Sequence, residues 1–432
     1  MSTKRRSLLQ VLLWVTLPLL LSVSGIAANV NTQRLTSRAQ SRVSETAHAK
    51  KHMRRLAKSH ATTHRTRKSA RSTTSSVTTA SGAQASRRSR VVSTRYRRHR
   101  YYERFSTSSY SEDIGNGDII PGEDPVVRQA AIDALGNMNG TVVAIEPTSG
   151  RILAMVNQKL ALSSGAQPCS TIKLSVGLAA LSEGLITKET EIRLGGRTRM
   201  NLTEALAHSN NAYFEALGRE LGFEKVSYYA HQFGLGELAG YRISDEQLGT
   251  YPDEVISDKL GGVGKMCSFG EGISMTPLQL GALVSAIANG GTLYYLQHPT
   301  TSEEVADFQP RVKRHLEIAS LIPEMSDGMA GAVAYGTARS VHLNFNEEEI
   351  LGKTGTCSRA GTRFGWFASY ANTDIGRIVT VVFLQGGRPT FGPKAAEIAG
   401  RMYRNLYDHD FFMVRPAVPT DTAGVKTVGS SQ

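Results

Sequence analysis

Apolar and polar residues form periodic patterns in the part of the chain after residue 111. The segment PVVRQAAIDALGNM (125–138) has the apolar spacing of an amphipathic helix. The runs TVVAIEP (141–147) and RILAMVN (151–157) are rich in β-branched residues, and a Thr-Ser-Gly sequence between them is typical of a hairpin turn. We therefore predict a helix followed by two paired strands.

Helical spacing dominates from about residue 200 to 340, and strand patterns then return. FGWFASYAN (364–372) and GRIVTVVFLQG (376–386) are predicted strands, and AAEIAGRMYRNLYDH (395–409) is a predicted closing helix. Strands thus come from both ends of this region. The order predicts one sheet assembled from both ends, with helices packed on its faces.

An apolar run from Leu8 to Ala28 comes directly after a short basic region, Lys4-Arg5-Arg6. The run is about the ~20 residues that a membrane-spanning helix needs. Small residues near its end, Gly25-Ile26-Ala27, also suit cleavage by a signal peptidase. We expect residues 1–28 to be a signal anchor or a signal peptide, and we favour the anchor. Either one places the remainder of the chain on the outer face of the cytoplasmic membrane.

The charge of the chain is unevenly distributed. Residues 29–110 hold 20 Lys/Arg and 2 Asp/Glu, whereas residues 111–432 hold 27 Lys/Arg and 35 Asp/Glu. The net charge of +13 therefore belongs to the N-terminal segments, and nucleic acid is not an expected partner of the main domain. Residues 29–115 are poor in large apolar side chains, so we predict a disordered, basic Ser/Thr/Arg-rich linker there.

Two further predictions concern the segments that flank the domain. RYRRHRYYERF (95–105) interleaves arginine with aromatic residues. It is either a patch for an anionic polymer, membrane headgroups or nucleic acid, or a solvated linker without a specific partner, and we favour the linker. Residues 413–432 are predicted to be a flexible C-terminal tail.

Three short motifs carry candidate chemistry: Ser170-Thr-Ile-Lys173, Ser209-Asn-Asn211 and Lys353-Thr-Gly-Thr356. Residues three apart share a face of a helix, so Ser170 and Lys173 are expected to point the same way. An N-cap serine with a solvated lysine one turn on is the alternative for that pair. Each motif is a weak signal alone. Their order is that of serine β-lactamases and penicillin-binding proteins.

At these motifs the chain resembles the transpeptidase domain of penicillin-binding proteins. FGEGISMTPLQLGALVSAIANGGTLY (269–294), MAGAVAYGTAR (329–339) and GWFASYA (365–371) resemble further segments of that family. The resemblance covers roughly residues 120–410 and implies a transpeptidase domain at 116–412. The implied fold is α/β (α+β): an antiparallel sheet flanked by helices plus an all-helical lobe, as in β-lactamases and transpeptidases.

The resemblance assigns the catalytic roles. Ser170 is the expected nucleophile, and Lys173 is its base, with a pKa lowered by burial and by the second cation Lys353. Ser209 is expected to relay a proton between Lys173 and the leaving amine. Asn211 is expected to hold the substrate amide and to orient Lys173.

The third motif is expected to bind the substrate. By the resemblance, Lys353 supplies positive charge near the substrate carboxylate, and the hydroxyls of Thr354 and Thr356 bind that carboxylate. Gly355, which has no side chain, lets the substrate backbone lie close along an edge strand. The backbone N–H groups of Ser170 and Thr356 are the expected oxyanion hole.

The implied function is a peptidoglycan D,D-transpeptidase that cross-links stem peptides through a Ser170 acyl-enzyme and is acylated by β-lactam antibiotics. This chemistry needs no metal or organic cofactor. Two alternatives stay open. One is a hydrolase on the same fold, either a D,D-carboxypeptidase or a β-lactamase. The other is a non-catalytic protein that senses β-lactams or binds the cell wall.

The cysteines depart from the family pattern. Cys169 stands where family members often carry glycine, and Cys357 directly follows the third motif; the spacings of these two and Cys267 match no metal site. If Ser170 and Thr356 line one oxyanion hole, their cysteine neighbours lie close together. A disulfide between Cys169 and Cys357 is one hypothesis. Two unrelated buried cysteines are the other, and we favour it.

Overall fold

The computed structural model describes residues 104–373 and 376–413. The predicted anchor (1–28), most of the predicted linker and nearly all of the predicted C-terminal tail lie outside these residues. Within them, no helix has the length and apolar character that crossing a bilayer requires.

The described chain contains ten α-helices, nine strands and three short 3-10 turns. The helices are α1 (Pro125–Leu135), α2 (Gln158–Ala161), α3 (Lys173–Ser182), α4 (Leu202–Ala207), α5 (Asn211–Gln232), α6 (Gly262–Phe269), α7 (Pro277–Asn289), α8 (Ser302–Ala306), α9 (Ile322–Ala334) and α10 (Gly392–Asp408). The strands are β1 (Gly140–Glu146), β2 (Arg151–Val156), β3 (Ile192–Gly195), β4 (Thr198–Met200), β5 (Thr292–Tyr294), β6 (Val312–His315), β7 (Ile350–Arg359), β8 (Thr362–Thr373) and β9 (Gly376–Gly386). The 3-10 turns are Cys169–Ile172, Asp258–Leu260 and Arg339–Leu343.

The main sheet has five antiparallel strands in the order β2-β1-β9-β8-β7. The N-terminal hairpin joins the C-terminal strands where β1 pairs with β9, with Val142 opposite Val382. The prediction of one sheet built from both ends of the chain is therefore confirmed. This order leaves β2 and β7 as the two edge strands.

Helices cover both faces of the sheet. Val143 and Ile145 of β1 pack into a core that contains α3, α5 and α7, whereas Val142 and Ala144 pack against α1 and α10. This alternation is the period of two that a strand imposes on its side chains. The first of these cores holds the helical lobe, which confirms the predicted fold class.

The third motif lies inside a strand that the hydrophobic pattern of the sequence did not predict. Residues 353–356 belong to β7, which pairs with β8 along its whole length. Alternating glycines, lysine and threonine give no hydrophobic period, so the sequence carried no strand signal there. The two-stranded sheets β3–β4 and β5–β6 were also missed, because their strands are only three or four residues long.

Residues before the predicted domain boundary at 116 pack against the sheet. The backbone N–H of Ser106 donates to Gly361 O, and the N–H of Gly387 donates to Ser109 Oγ. A bridge also pairs Tyr110 with Met138. The folded unit therefore begins before residue 116 and includes residues that the sequence analysis assigned to the linker.

Candidate active site

The first motif forms a turn that leads directly into α3. Ser170 lies in the 3-10 turn Cys169–Ile172, and α3 begins at Lys173. One helical turn thus separates the two side chains, and Lys173 Nζ donates to Ser170 Oγ at 2.7 Å. Lys173 is fully buried, and Ser170 makes no N-cap hydrogen bond. The alternative of a capping serine with a solvated lysine is therefore wrong.

The second motif lies in the tight connection between α4 and α5. Asn210 caps α5 by accepting from the N–H of Tyr213. Ser209 has φ 54°, in the left-handed region that non-glycine residues rarely adopt. In this conformation, Ser209 Oγ lies 3.3 Å from Lys173 Nζ. Asn211 Oδ1 also accepts from Lys173 Nζ, at 2.7 Å.

The third motif approaches the same point from the edge of the sheet. Lys353 Nζ donates to Ser209 Oγ at 2.8 Å and to Thr354 O at 3.1 Å. Ser209 is therefore within hydrogen-bond distance of both amines. The result is a continuous chain of polar atoms that runs from Ser170 through Lys173 and Ser209 to Lys353.

Both amines are buried without a carboxylate partner in the described part of the chain. Burial lowers the pKa of Lys173 well below its usual value, and positive charge on Lys353 lowers it further. The carboxylate of Glu215 acts in the opposite direction from a distance. Burial lowers the pKa of Lys353 to about 7. The arrangement favours a neutral Lys173 amine that can accept a proton from the Ser170 hydroxyl.

The threonines of β7 already have partners. Thr354 Oγ1 donates to Thr337 Oγ1 at 2.7 Å, and Thr356 Oγ1 accepts from the N–H of Gly392 at 2.7 Å. At Gly355 the close neighbour is the loop before Ser170, since a Cβ there would lie 2.8 Å from Pro168 O. This glycine therefore has a packing reason of its own, besides the expected approach of a substrate.

Cys169 and Cys357 form a disulfide, with their Cα atoms 5.6 Å apart. The bond joins the residue before Ser170 to the residue after Thr356. Of the two hypotheses in the sequence analysis, the favoured one, two unrelated cysteines, is wrong. Cys169 has φ 54°, which fits its place at a position where glycine is common. Cys267 is a free, buried thiol.

A cleft of about 840 Å³ opens beside Ser170. Most of its wall could not be identified from the sequence, because Arg363 and Phe391 belong to no short motif and Arg339 lies in a longer segment that resembles the family. The side chains that line the cleft are Ser170, Ser209, Ala334, Gly336, Thr337, Arg339, Ser340, His342, Leu343, Thr354, Thr356, Arg363, Phe391 and Pro393.

Comparison with known proteins gives a consistent result. The sequence model of the penicillin binding protein transpeptidase domain matches residues 140–407. Stage V sporulation protein D of Bacillus subtilis is 28% identical over 61% of this chain and 48% of its own length. The peptidoglycan D,D-transpeptidase MrdA of Acinetobacter baumannii is 23% identical over 72% of this chain and 57% of its own length. The chain thus spans about half the length of these two relatives.

A solved structure supports the fold independently. The transpeptidase domain of Burkholderia pseudomallei penicillin-binding protein 3 aligns with a TM-score of 0.57 at 18% sequence identity. The alignment covers 70% of this chain and 99% of that domain. At this identity the likeness concerns the fold alone.

Proposed function

Since this chain belongs to the penicillin-binding protein transpeptidase family, we propose that it is a peptidoglycan D,D-transpeptidase that acts through an acyl-enzyme on Ser170. One observation carries the proposal. The Lys173 amine, buried and without a carboxylate partner among the described residues, lies 2.7 Å from the Ser170 hydroxyl. A serine becomes a nucleophile only when a nearby base takes its proton, and this lysine is in position to do so.

Acylation begins when Lys173 Nζ accepts the Ser170 proton. Ser170 Oγ then attacks the carbonyl carbon between the last two D-alanines of a stem peptide. The N–H groups of Ser170 and Thr356 bind the oxyanion that forms. The disulfide beside both residues supports this assignment, because it ties the two N–H groups to one another through their neighbours.

The proton then moves to the leaving group. Ser209 Oγ lies 3.3 Å from Lys173 Nζ and 2.8 Å from Lys353 Nζ. Ser209 passes a proton to the amine of the terminal D-Ala and receives one from Lys173. The C–N bond breaks, D-Ala departs, and the acyl ester stays on Ser170. An amine of a second stem peptide attacks this ester, and its proton returns by the same route to Ser170 Oγ.

The wall of the cleft favours a long-lived ester. Its side chains include no aspartate or glutamate in the described part of the chain. A β-lactamase that hydrolyses its acyl-enzyme through a carboxylate base needs such a group beside the ester. We therefore prefer transfer to an amine over hydrolysis. β-Lactam antibiotics would acylate the same serine and form an ester of the same kind.

The proposed setting is the outer face of the bacterial cytoplasmic membrane. The apolar run Leu8–Ala28 would hold the chain there as an anchor, or would direct its export as a signal that is then removed. The basic linker would contact anionic wall polymer or membrane headgroups. The apolar run and most of the linker lie outside the described residues, so these two statements stay predictions from the sequence.

The first test is the intact mass of the full-length chain, in detergent, after incubation with benzylpenicillin. We expect one stable covalent adduct, absent from Ser170→Ala and retained in Ser182→Ala, which changes a serine at the far end of α3. Rapid drug turnover without an adduct would identify a β-lactamase. If neither adduct nor turnover is seen, the non-catalytic alternative replaces our proposal.

A second assay separates transfer from hydrolysis. The chain is given a peptide that ends in D-Ala-D-Ala together with an isotope-labelled D-amino acid as acceptor. We expect mass spectrometry to find the label at the peptide's new C-terminus. A product shortened by one alanine and unlabelled at every acceptor concentration would identify a D,D-carboxypeptidase.

A further inference from the structure

Residues 105–110, here called the strap, lie against two connections that support the cleft wall. The first is the turn between β7 and β8, and the second is the loop 387–391 between β9 and α10. Ser109, in the middle of the strap, is only 6% exposed although it belongs to no helix or strand. The strap is therefore part of the packed domain.

The hydroxyl of Ser109 bonds to three groups of the loop 387–391. It accepts from the N–H of Gly387 at 2.9 Å and from Thr390 Oγ1 at 3.2 Å, and it donates to Arg388 O at 3.2 Å. These bonds use the one proton and both lone pairs of a hydroxyl. A buried donor that loses its acceptor costs free energy, so this one side chain holds the loop in a single conformation.

The far end of this loop contacts the strand that carries the third motif. The N–H of Gly392 donates to Thr356 Oγ1 at 2.7 Å, and a Cβ on Gly392 would lie 2.9 Å from Gly355 O. Phe391, the last residue of the loop, lines the cleft. The N–H of Thr356 is one of the two donors assigned to the oxyanion hole. The position of the loop therefore influences the position of that donor.

The strap also holds the turn between β7 and β8. The N–H of Ser106 donates to Gly361 O at 2.9 Å, and the hydroxyl oxygens of Thr107 and Thr362 lie 2.6 Å apart. β7, which carries Thr356, ends at this turn and is an edge strand of the main sheet. An edge strand has a hydrogen-bonded neighbour on one side only, so contacts at its end restrict its movement.

We propose that Ser109 and Thr107 are positioning residues for the acyl-transfer reaction, and that they hold the Thr356 N–H where the oxyanion develops. The inference rests on the proposed function. Neither side chain belongs to the cleft lining of the described residues, so both act through the loop and the turn. An oxyanion hole depends on donors that are fixed before the reaction begins. Misplacing such a group by about 1 Å can slow a reaction about 100-fold.

The test measures acylation of Ser170 by benzylpenicillin in the full-length chain in detergent. Stopped-flow traces at increasing drug concentration separate the limiting rate from the half-saturating concentration. We expect Ser109→Ala to lower the limiting rate about 10-fold. Thr107→Val, which keeps the shape and removes the hydroxyl, should lower it about 3-fold. The half-saturating concentration should stay nearly unchanged, because the lost contacts support the transition state rather than drug binding.

Ser108→Ala is the matched control. Ser108 is exposed, and its hydroxyl bonds to the backbone of Tyr110 within the strap, so this variant should acylate at the native rate. An unfolded fraction would lower the amplitude of the traces and not their rate, so a loss of stability does not imitate the expected result. Hydrogen exchange of the loop 387–391, measured by mass spectrometry, should be faster in Ser109→Ala, because the Gly387 N–H loses its acceptor.

Three outcomes would overturn the positioning role. They are native limiting rates in both Ser109→Ala and Thr107→Val, an equal fall in Ser108→Ala, or a higher half-saturating concentration at an unchanged limiting rate. The native chain tests the proposed function separately. If it forms no adduct on Ser170, the transpeptidase is removed. If it forms the adduct at the same rate as the two strap variants, only the role of the strap is removed.

Discussion

Two buried clusters of charged side chains lie at opposite edges of the main sheet. The active-site lysines, Lys173 and Lys353, meet at the β7 edge. A second set, here called the β2-edge cluster, comprises Asp118, Glu123, Arg128 and His298 beside β2. Both clusters are largely shielded from water, yet only one has the properties of a reactive site. The two clusters differ in whether each buried basic group has a carboxylate partner.

In the β2-edge cluster every basic group faces an acid. Arg128 donates to Glu123 at 2.7 Å and to Asp118 at 2.9 Å, and His298 Nε2 lies 2.9 Å from Glu123. Burial opposes the charge on Arg128, but hydrogen bonds to Glu123 and Asp118 outweigh it and raise the pKa of Arg128. Glu123 also accepts from the N–H of Met155 in β2. The cluster therefore fastens the segment before α1 to the sheet edge.

At the β7 edge the two amines meet only uncharged oxygens among the described residues. Burial then lowers the pKa of both lysines, to about 7 for Lys353. Burial with a matching charge gives a structural clamp, whereas burial without one gives a proton acceptor near neutral pH. Changing one residue of each cluster tests this distinction.

The largest effect is expected for Lys173→Met. We predict that acylation of Ser170 by benzylpenicillin slows by about 10³-fold, because the nucleophile loses its base. The variant should stay folded, since no carboxylate loses a partner. Stopped-flow kinetics measures the rate. Lys188→Met, which removes an exposed lysine that pairs with Asp327, is the control and should acylate at nearly the native rate. Near-native acylation by Lys173→Met would show that another group is the base.

Arg128→Met should lower the unfolding free energy and leave the acylation rate unchanged. It leaves the nearly inaccessible carboxylates of Asp118 and Glu123 without their shared cation, and breaking a buried pair costs about 3–5 kcal/mol of unfolding free energy. Urea unfolding measures the loss, and the acylation rate of the folded variant should be unchanged. Arg199→Met, in an exposed pair with Glu191, should change stability little. Full stability in Arg128→Met would mean that the β2-edge cluster is not a clamp.

Counted per pH unit, the smallest expected effect is a pH dependence from Lys353. Between its folded pKa of about 7 and the ordinary value of 10.5, the unfolded chain carries a proton on this lysine that the folded chain lacks. Stability therefore rises with pH in that window, and the full cost of burying this lysine is present at lower pH. Relative to Lys353→Met, the native unfolding free energy should increase by about 1.4 kcal/mol per pH unit.

Paired urea titrations at intervals across this window measure the difference. Arg128→Met serves as the comparison, since it leaves Lys353 in place and should show the native slope. If the native chain and Lys353→Met differ by the same amount at every pH, Lys353 keeps its charge when folded, and the contrast between the two clusters disappears.

Much of the fold could be predicted from local patterns. The hairpin of β1 and β2, the strands β8 and β9 and the helices α1 and α10 each have a period that comes from their own side chains. β7 had no such period, because its lysine, threonine and glycine residues are present for the site rather than for a hydrophobic face. The Cys169–Cys357 bond could be proposed but not decided, because it depends on where two segments 188 residues apart come to lie.

The contact between Ser170 and Lys173 could be predicted from the sequence, because their spacing of one helical turn determines it. Four of the five main-sheet strands, β1, β2, β8 and β9, and the segregation of basic charge into the N-terminal segments could also be predicted from the sequence. Three other features emerged from the packed domain: Lys353 reaches Ser209 rather than the open cleft, Arg363 lies over the Phe391 ring in the cleft wall, and Arg128 meets two carboxylates. These features depend on residues of different elements, and the burial that sets their protonation is a property of the whole packed domain.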